Sequence, residues 1–294
     1  MSEGVEQANE AREQSKMRNK IWVGVGMVVV AGTASSAQPI AADAAGKVGA
    51  QSSFQVAAAD TAKALPAGQG GEGGEAGAAA NLDAKSDAAY AASLAELRAH
   101  VALGDELVLR GHGQDAKARL EHALEEIYPR VVAAFEARKV SPFDADLKAA
   151  IAAATGPKDG FGPVQAALMK KIAAAEPAAP GGHTPLPQTV AVLVGLLKAA
   201  SVEYGEALDG KTVKSMPEYQ YTYAFMRAAA DALSEARPAL AAKDVAALKA
   251  VSEGVATLRA AVPGLFPEQH TLIASDAFTA LVSRIELKAS RFTN

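Results

Sequence analysis

The chain has 294 residues, a formal net charge of -4 from 29 basic and 33 acidic side chains, and no cysteine. No basic stripe is available to displace counterions, which excludes nucleic acid as an expected partner. The lack of cysteine excludes disulfides, thiolate metal ligands, a lipoprotein anchor and covalent c-type haem attachment. Half the residues are hydrophobic but only 5% are aromatic, and the abundant alanine without β-branched alternation points to close-packed helices.

At the N-terminus, Lys16, Arg18 and Lys20 precede the apolar run 21–31 and the small residues Gly32 to Ala37. That is the order of a secretory signal peptide, with cleavage expected after Ala37. Met17 is an alternative start, which would make residues 1–16 an upstream extension. The glycine-interrupted run is short for a hydrocarbon core about 30 Å thick, so no stable membrane insertion is expected after cleavage. The expected location is the periplasm, where a domain of roughly 200 residues can do without disulfides. Residues 38–84, ending in a Gly/Glu-rich run, cannot offset their own ordering entropy and read as a flexible linker.

From residue 85 to 294 the apolar periodicity predicts an all-α domain. It reads as a bundle of helices near 86–110, 114–138, 142–154, 163–175, 187–209, 216–240, 243–261 and 271–290. Ser141-Pro142-Phe143-Asp144 carries a cap, a proline at the first helical position and an early acid, and Ser215 with Glu218 has capping-box spacing. Pro129 and Pro238 should kink or break their helices, the latter dividing the chain near Arg237. The Pro/Gly-rich stretch Glu176 to Pro185 separates two groups of helices, sub-bundles 85–180 and 181–294, and a single helical unit is the preferred arrangement. The stripes Leu120, Leu124, Ile127, Val131 and Leu193, Leu196, Leu197, Ala200, Tyr204, Leu208 each require a covering helix.

The sharpest candidate site is the hairpin about Gly111-His112-Gly113. Counting outward from His112, His122 and Glu126 straddle the level of His100, each within about 3 Å along the axis at about 1.5 Å per residue. The helical wheel puts His100 on the flank of the apolar face, whereas His122 and Glu126 point away from Leu120 and Ile127. Joint metal ligation therefore requires a third helix to cover them. The alternative is a half-buried structural histidine beside an i,i+4 surface pair. Imidazole and carboxylate without sulfur suit iron, copper or zinc. A second constellation, Glu203, Tyr204, Glu218 and Tyr219, lies in a region holding four of the six tyrosines. Phenols with carboxylates can ligate ferric iron or form a polar pocket, and otherwise serve as amphipathic packing. His112 reads as a turn residue, and His183 and His270 as loop histidines. No enzyme is expected, because no cysteine nucleophile, phosphate loop or Gly-x-Ser-x-Gly elbow occurs.

Two stretches carry resemblances. Leu193 to Phe225, with Glu203-Tyr204, Asp209-Gly210-Lys211 and Glu218-Tyr219, resembles the periplasmic helical segment of bacterial high-affinity iron permeases. The hairpin LRAHVALGDELVLRGHGQDAKARLEHALEEIYPRV is similar to uncharacterised secreted helical proteins of proteobacteria, with His100, His122, Glu126, Ile127 and Tyr128 at the motif positions. These resemblances imply iron handling beside an envelope or membrane transport protein, without transport itself. The expectation is an exported, transition-metal-binding accessory in iron uptake or storage. A helical scaffold docking on another envelope protein is the alternative, and a haem binder using His100 with His122 or a methionine is a third reading.

Overall fold

In a computed structural model, residues 86–177, 184–268 and 271–293 are described. The signal peptide, the linker, His183 and His270 lie outside the described residues. The rest is all-α apart from a two-residue hairpin, β1 (Leu208–Asp209) and β2 (Thr212–Val213).

Helix α1 (Asp87–Leu109) starts on Ser86, whose hydroxyl accepts from the Ala89 amide. It ends where Gly111 takes φ +88°, and the His112 amide bonds back to the Leu107 carbonyl at 2.8 Å. That left-handed closure suits glycine and satisfies the last carbonyls of the helix. The chain returns as α2 (Gly113–His122), and the two helices lie close at Gly104, where an added Cβ would meet Leu120 Cγ at 2.9 Å. The expected helix 114–138 is not continuous. A π turn (Ala123–Ile127) leads into α3 (Tyr128–Val132), which has Pro129 in its first turn, and then into the short α4 (Phe135–Arg138). Proline has no N–H to give, and the helix accommodates Pro129 by the π turn just before it rather than by a break, which comes only at residues 133–134.

Helix α5 (Asp144–Ala153) starts later than its sequence signal, and Ser141 does not cap it. The Phe143 amide bonds the Tyr128 hydroxyl instead, at 2.8 Å. Helix α6 (Lys158–Ala175) extends upstream of the predicted start and contains Pro163. Helix α7 (Leu186–Ala207) is long and apolar enough by composition to cross a membrane. Here its stripe Leu193, Leu196, Leu197, Ala200 and Tyr204 is buried, and α1, α8 and α10 pack around it.

Helix α8 (Met216–Lys243) follows the β hairpin and runs straight through Pro238, so the division expected near Arg237 falls at Asp244 instead. The proline is exposed while Ala236 and Leu240 on either side are buried, so core packing outweighs one lost backbone bond. Ser215 makes no side-chain cap. Asp244 does, accepting from the Ala247 amide at 2.9 Å to open α9 (Val245–Ala261). Helix α10 (Ser275–Ala289) closes the fold against α7 and α9. Buried residues of α1 through α10 form one continuous apolar cluster, because α1 packs on both α7 and α8.

Candidate functional site

The side chains of the hairpin meet α8. His100 is fully buried on α1, and His122 is half-buried at the end of α2. Their rings lie 5.4 Å apart between centroids, at 27° between planes. Tyr221 of α8 contacts both, at 4.7 Å from His100 and 4.8 Å from His122, and Phe225 one turn later packs edge-on to His100 at 5.2 Å. The third helix that the wheel required is therefore α8, and it covers His122 with an aromatic ring. Stacked and edge-to-face ring pairs add modest energy beyond their buried area.

The first ring is oriented from behind. His100 Nδ1 lies 2.9 Å from the Glu96 carbonyl oxygen, which only accepts, so Nδ1 carries a proton. A carbonyl on one imidazole nitrogen is the usual support for a histidine that ligates through the other. Two imidazoles on one metal, each with a metal–nitrogen distance of about 2.0–2.1 Å, would hold their ring centres roughly 5 Å apart. The observed separation is 5.4 Å, but the rings are stacked at 27°, which brings them together without aiming both ring nitrogens at one point.

Glu126 stays apart from this group. It is exposed, and its backbone carbonyl accepts from Arg130 Nε at 3.0 Å. The π turn is the physical reason: its backbone bond runs from the Tyr128 amide to the Ala123 carbonyl. In that wider turn the i,i+4 pair no longer stacks on one face. Among the described residues, no group of three or more His, Asp or Glu side chains is placed to hold a metal ion.

The second constellation divides by burial. Tyr204 is fully buried, stacks on Phe278 at 4.3 Å, and its hydroxyl both donates to the Ile273 carbonyl and accepts from the Ile273 amide. Its oxygen is committed to the backbone. Glu203 is buried beside it on α7. Tyr219 is fully buried, and among the described residues neither its hydroxyl nor Oε2 of the half-buried Glu218 has a hydrogen-bond partner. Burial pushes the Tyr219 phenol well above its ordinary value, with Tyr204, Glu268 and Tyr223 adding to the rise. Burial therefore favours the neutral phenol at this end of the bundle.

Sequence reasoning passed over Arg119, Gln220, Tyr221 and Phe225. Arg119 Nε donates to Gln220 Oε1 at 3.1 Å, and its guanidinium lies 5.5 Å from the centre of the Tyr221 ring. The available signals were the i,i+3 spacing of Arg119 and His122 and the i,i+4 spacing of Tyr221 and Phe225. Glu106 ties α1 to α8 nearby, accepting from Arg227 at 2.7 Å and from Tyr223 and Arg110. His112 sits away from the cluster at the turn, half-exposed, against Phe266 and 3.4 Å from an Asp115 carboxylate oxygen.

Residues 186–294, which hold α7 through α10, match the family of the iron permease-associated 4-helix bundle domain. The matched segment contains the Leu193–Phe225 stretch whose resemblance pointed to iron permeases. The hairpin with His100 and His122 precedes it, while Tyr221 and Phe225 belong to it. No curated protein and no solved structure matches the chain.

Proposed function

We propose that this protein is an exported helical accessory of an iron-uptake system in the cell envelope, and that the His100–His122 pair is its contact for the metal cargo. The observation that carries the reading is the pairing itself: two histidines from different helices are brought ring to ring under Tyr221, a residue of the bundle matched to the iron-permease family. The N-terminal signal-like order supports export, and the matched family supports an association with a transport partner. His100 offers Nε2, with Nδ1 engaged by Glu96, and His122 lies at the rim where an ion can arrive. Two nitrogens form an incomplete shell, which suits a carrier that accepts and releases its ion more than a structural site that encloses it.

The helical scaffold is the second reading, favoured by the same rings being packed against Tyr221 and Phe225 as core aromatics are. Titration of the purified protein with iron, copper and zinc, followed by elemental analysis, separates the two. Stoichiometric metal that falls at least tenfold in both His100→Ala and His122→Ala, with each variant still helical by circular dichroism, supports the carrier. No metal retained by the wild type under any of the three ions defeats it and leaves the scaffold.

A further inference from the structure

One face of α10 lies outside the bundle. Phe278, Val282, Ile285 and Ala289 turn the opposite side into the core, and Ile285 seats so closely on Gly254 of α9 that an added Cβ there would meet its Cγ1 at 2.6 Å. That contact fixes which way the helix faces. Arg284, Leu287 and Lys288, continued by Arg291 just past the helix end, follow the i, i+3, i+4, i+7 spacing of a single stripe, and all four are exposed. Leu287 is 69% exposed, matched only by Val245 among the described large apolar side chains.

The stripe is also unbalanced in charge. Glu286 turns away to Lys198 of α7 at 2.6 Å, and Asp276 lies in the first turn of the helix, eight residues before Arg284. Asp244 engages Arg291 through Nε at 2.8 Å, while Arg284 and Lys288 make no ion pair among the described residues. In a chain of net charge -4, this end of α10 is locally cationic. An apolar side chain set among long cationic ones suits a helix lying on an anionic membrane, where the leucine enters the headgroup boundary and the Lys and Arg stems reach lipid phosphates. A protein partner fits less well, because about two turns of a convex helix offer far less than the roughly 1,200 Å² that a stable protein interface buries. A fluid bilayer needs no matching shape. We infer that this face of α10 docks on an anionic phospholipid surface, with Leu287 as its anchor and Arg284, Lys288 and Arg291 as its headgroup contacts. The docking is peripheral and goes beyond the carrier reading, since it uses none of the histidine cluster.

Vesicle flotation tests the inference with the protein lacking residues 1–37, whose apolar run 21–31 would bind lipid by itself. Wild type should float with phosphatidylglycerol vesicles, stay off phosphatidylcholine vesicles, and be released by salt. Each cation near an anionic leaflet strengthens binding about fivefold, so reversing two of them in the double variant Arg284→Glu, Lys288→Glu should weaken it at least about tenfold. The same charge change on α6, Lys170→Glu with Lys171→Glu, also at exposed positions, should alter binding less than about twofold. Leu287→Ser keeps the charge and should still weaken binding at least about threefold. All these side chains are exposed, and circular dichroism confirms that each variant keeps its helix content. Equal losses from the two double variants would reduce the effect to net charge and overturn the inference, as would a wild type that stays off phosphatidylglycerol. Undiminished binding by Leu287→Ser would overturn the anchor. Binding to soluble polyglutamate with none to phosphatidylglycerol would assign the face to an acidic protein and overturn the lipid. His100→Ala should float as wild type does, so failure here leaves the carrier reading standing, and failure of metal binding leaves the docking face.

Discussion

Tyr204 and Tyr219 show how one residue type takes opposite roles according to its hydroxyl. Both rings are fully buried, but Tyr204 exchanges two hydrogen bonds with the Ile273 backbone, and Tyr219 has no partner for its oxygen among the described residues. Removing a satisfied hydroxyl strands backbone groups, whereas removing an unsatisfied one relieves a desolvation cost. Tyr204→Phe should therefore destabilise by about 1–2 kcal/mol, and Tyr219→Phe should be neutral or stabilise by about 1 kcal/mol. Urea denaturation of the two variants checks this directly, and equal destabilisation by both would contradict it. The same contrast governs the histidines: His100 is oriented by a backbone carbonyl, while His122 depends on Tyr221 and on where α2 ends.

At the level of elements, helix boundaries are set by whichever group reaches the free backbone, and the nearest sequence signal is often not that group. Ser86 and Asp244 cap their helices, while Ser141 and Ser215 leave theirs uncapped. Asp244 also binds Arg291, just after α10, through its second oxygen at 2.8 Å. The Ala247 amide first, and then Arg291, hold the Asp244 carboxyl below its ordinary value of 3.8. A depressed carboxyl adds stability above its unfolded value and loses it as pH falls through the folded one. Asp244→Ala should thus lower the melting temperature at neutral pH, and the gap to wild type should narrow below about pH 4. Thermal melts across pH 3 to 7 measure the gap, and a constant difference would rule out the charged cap as its source.

For the described molecule as a whole, the hairpin and the C-terminal bundle share one core. α1 packs on α7 and α8, the Glu106 group links it to Arg227 and Tyr223, and Arg119 reaches Gln220. A fragment of residues 184–294 keeps the segment matched to the iron-permease bundle but loses the cover over Tyr221 and Phe225. It should remain helical while melting at lower temperature than the whole chain and binding a dye for exposed apolar surface. Exposed apolar patches are what such a cut leaves behind. A fragment as stable as the whole would mean that the hairpin adds nothing to the core.

Much of this was legible in the sequence. Alanine content, helical periodicity and Leu193 to Phe225 determine an all-α chain with an iron-permease-like bundle, because burial of an apolar stripe every 3.6 residues is a local property. The level shared by His100 and His122 follows from equal rise on both arms of the hairpin. Their meeting is a tertiary fact, decided by α8, which lies about a hundred residues away in the chain and brings Tyr221 over both rings. The separation of Glu126 is likewise decided by the π turn, which trades an ideal helix for the burial of Ile127 and Val131 and so removes the carboxylate from the histidine face. Periodicity assigns a residue to a face, but only packing against a distant helix, and local departures from helical register, determine what that face meets.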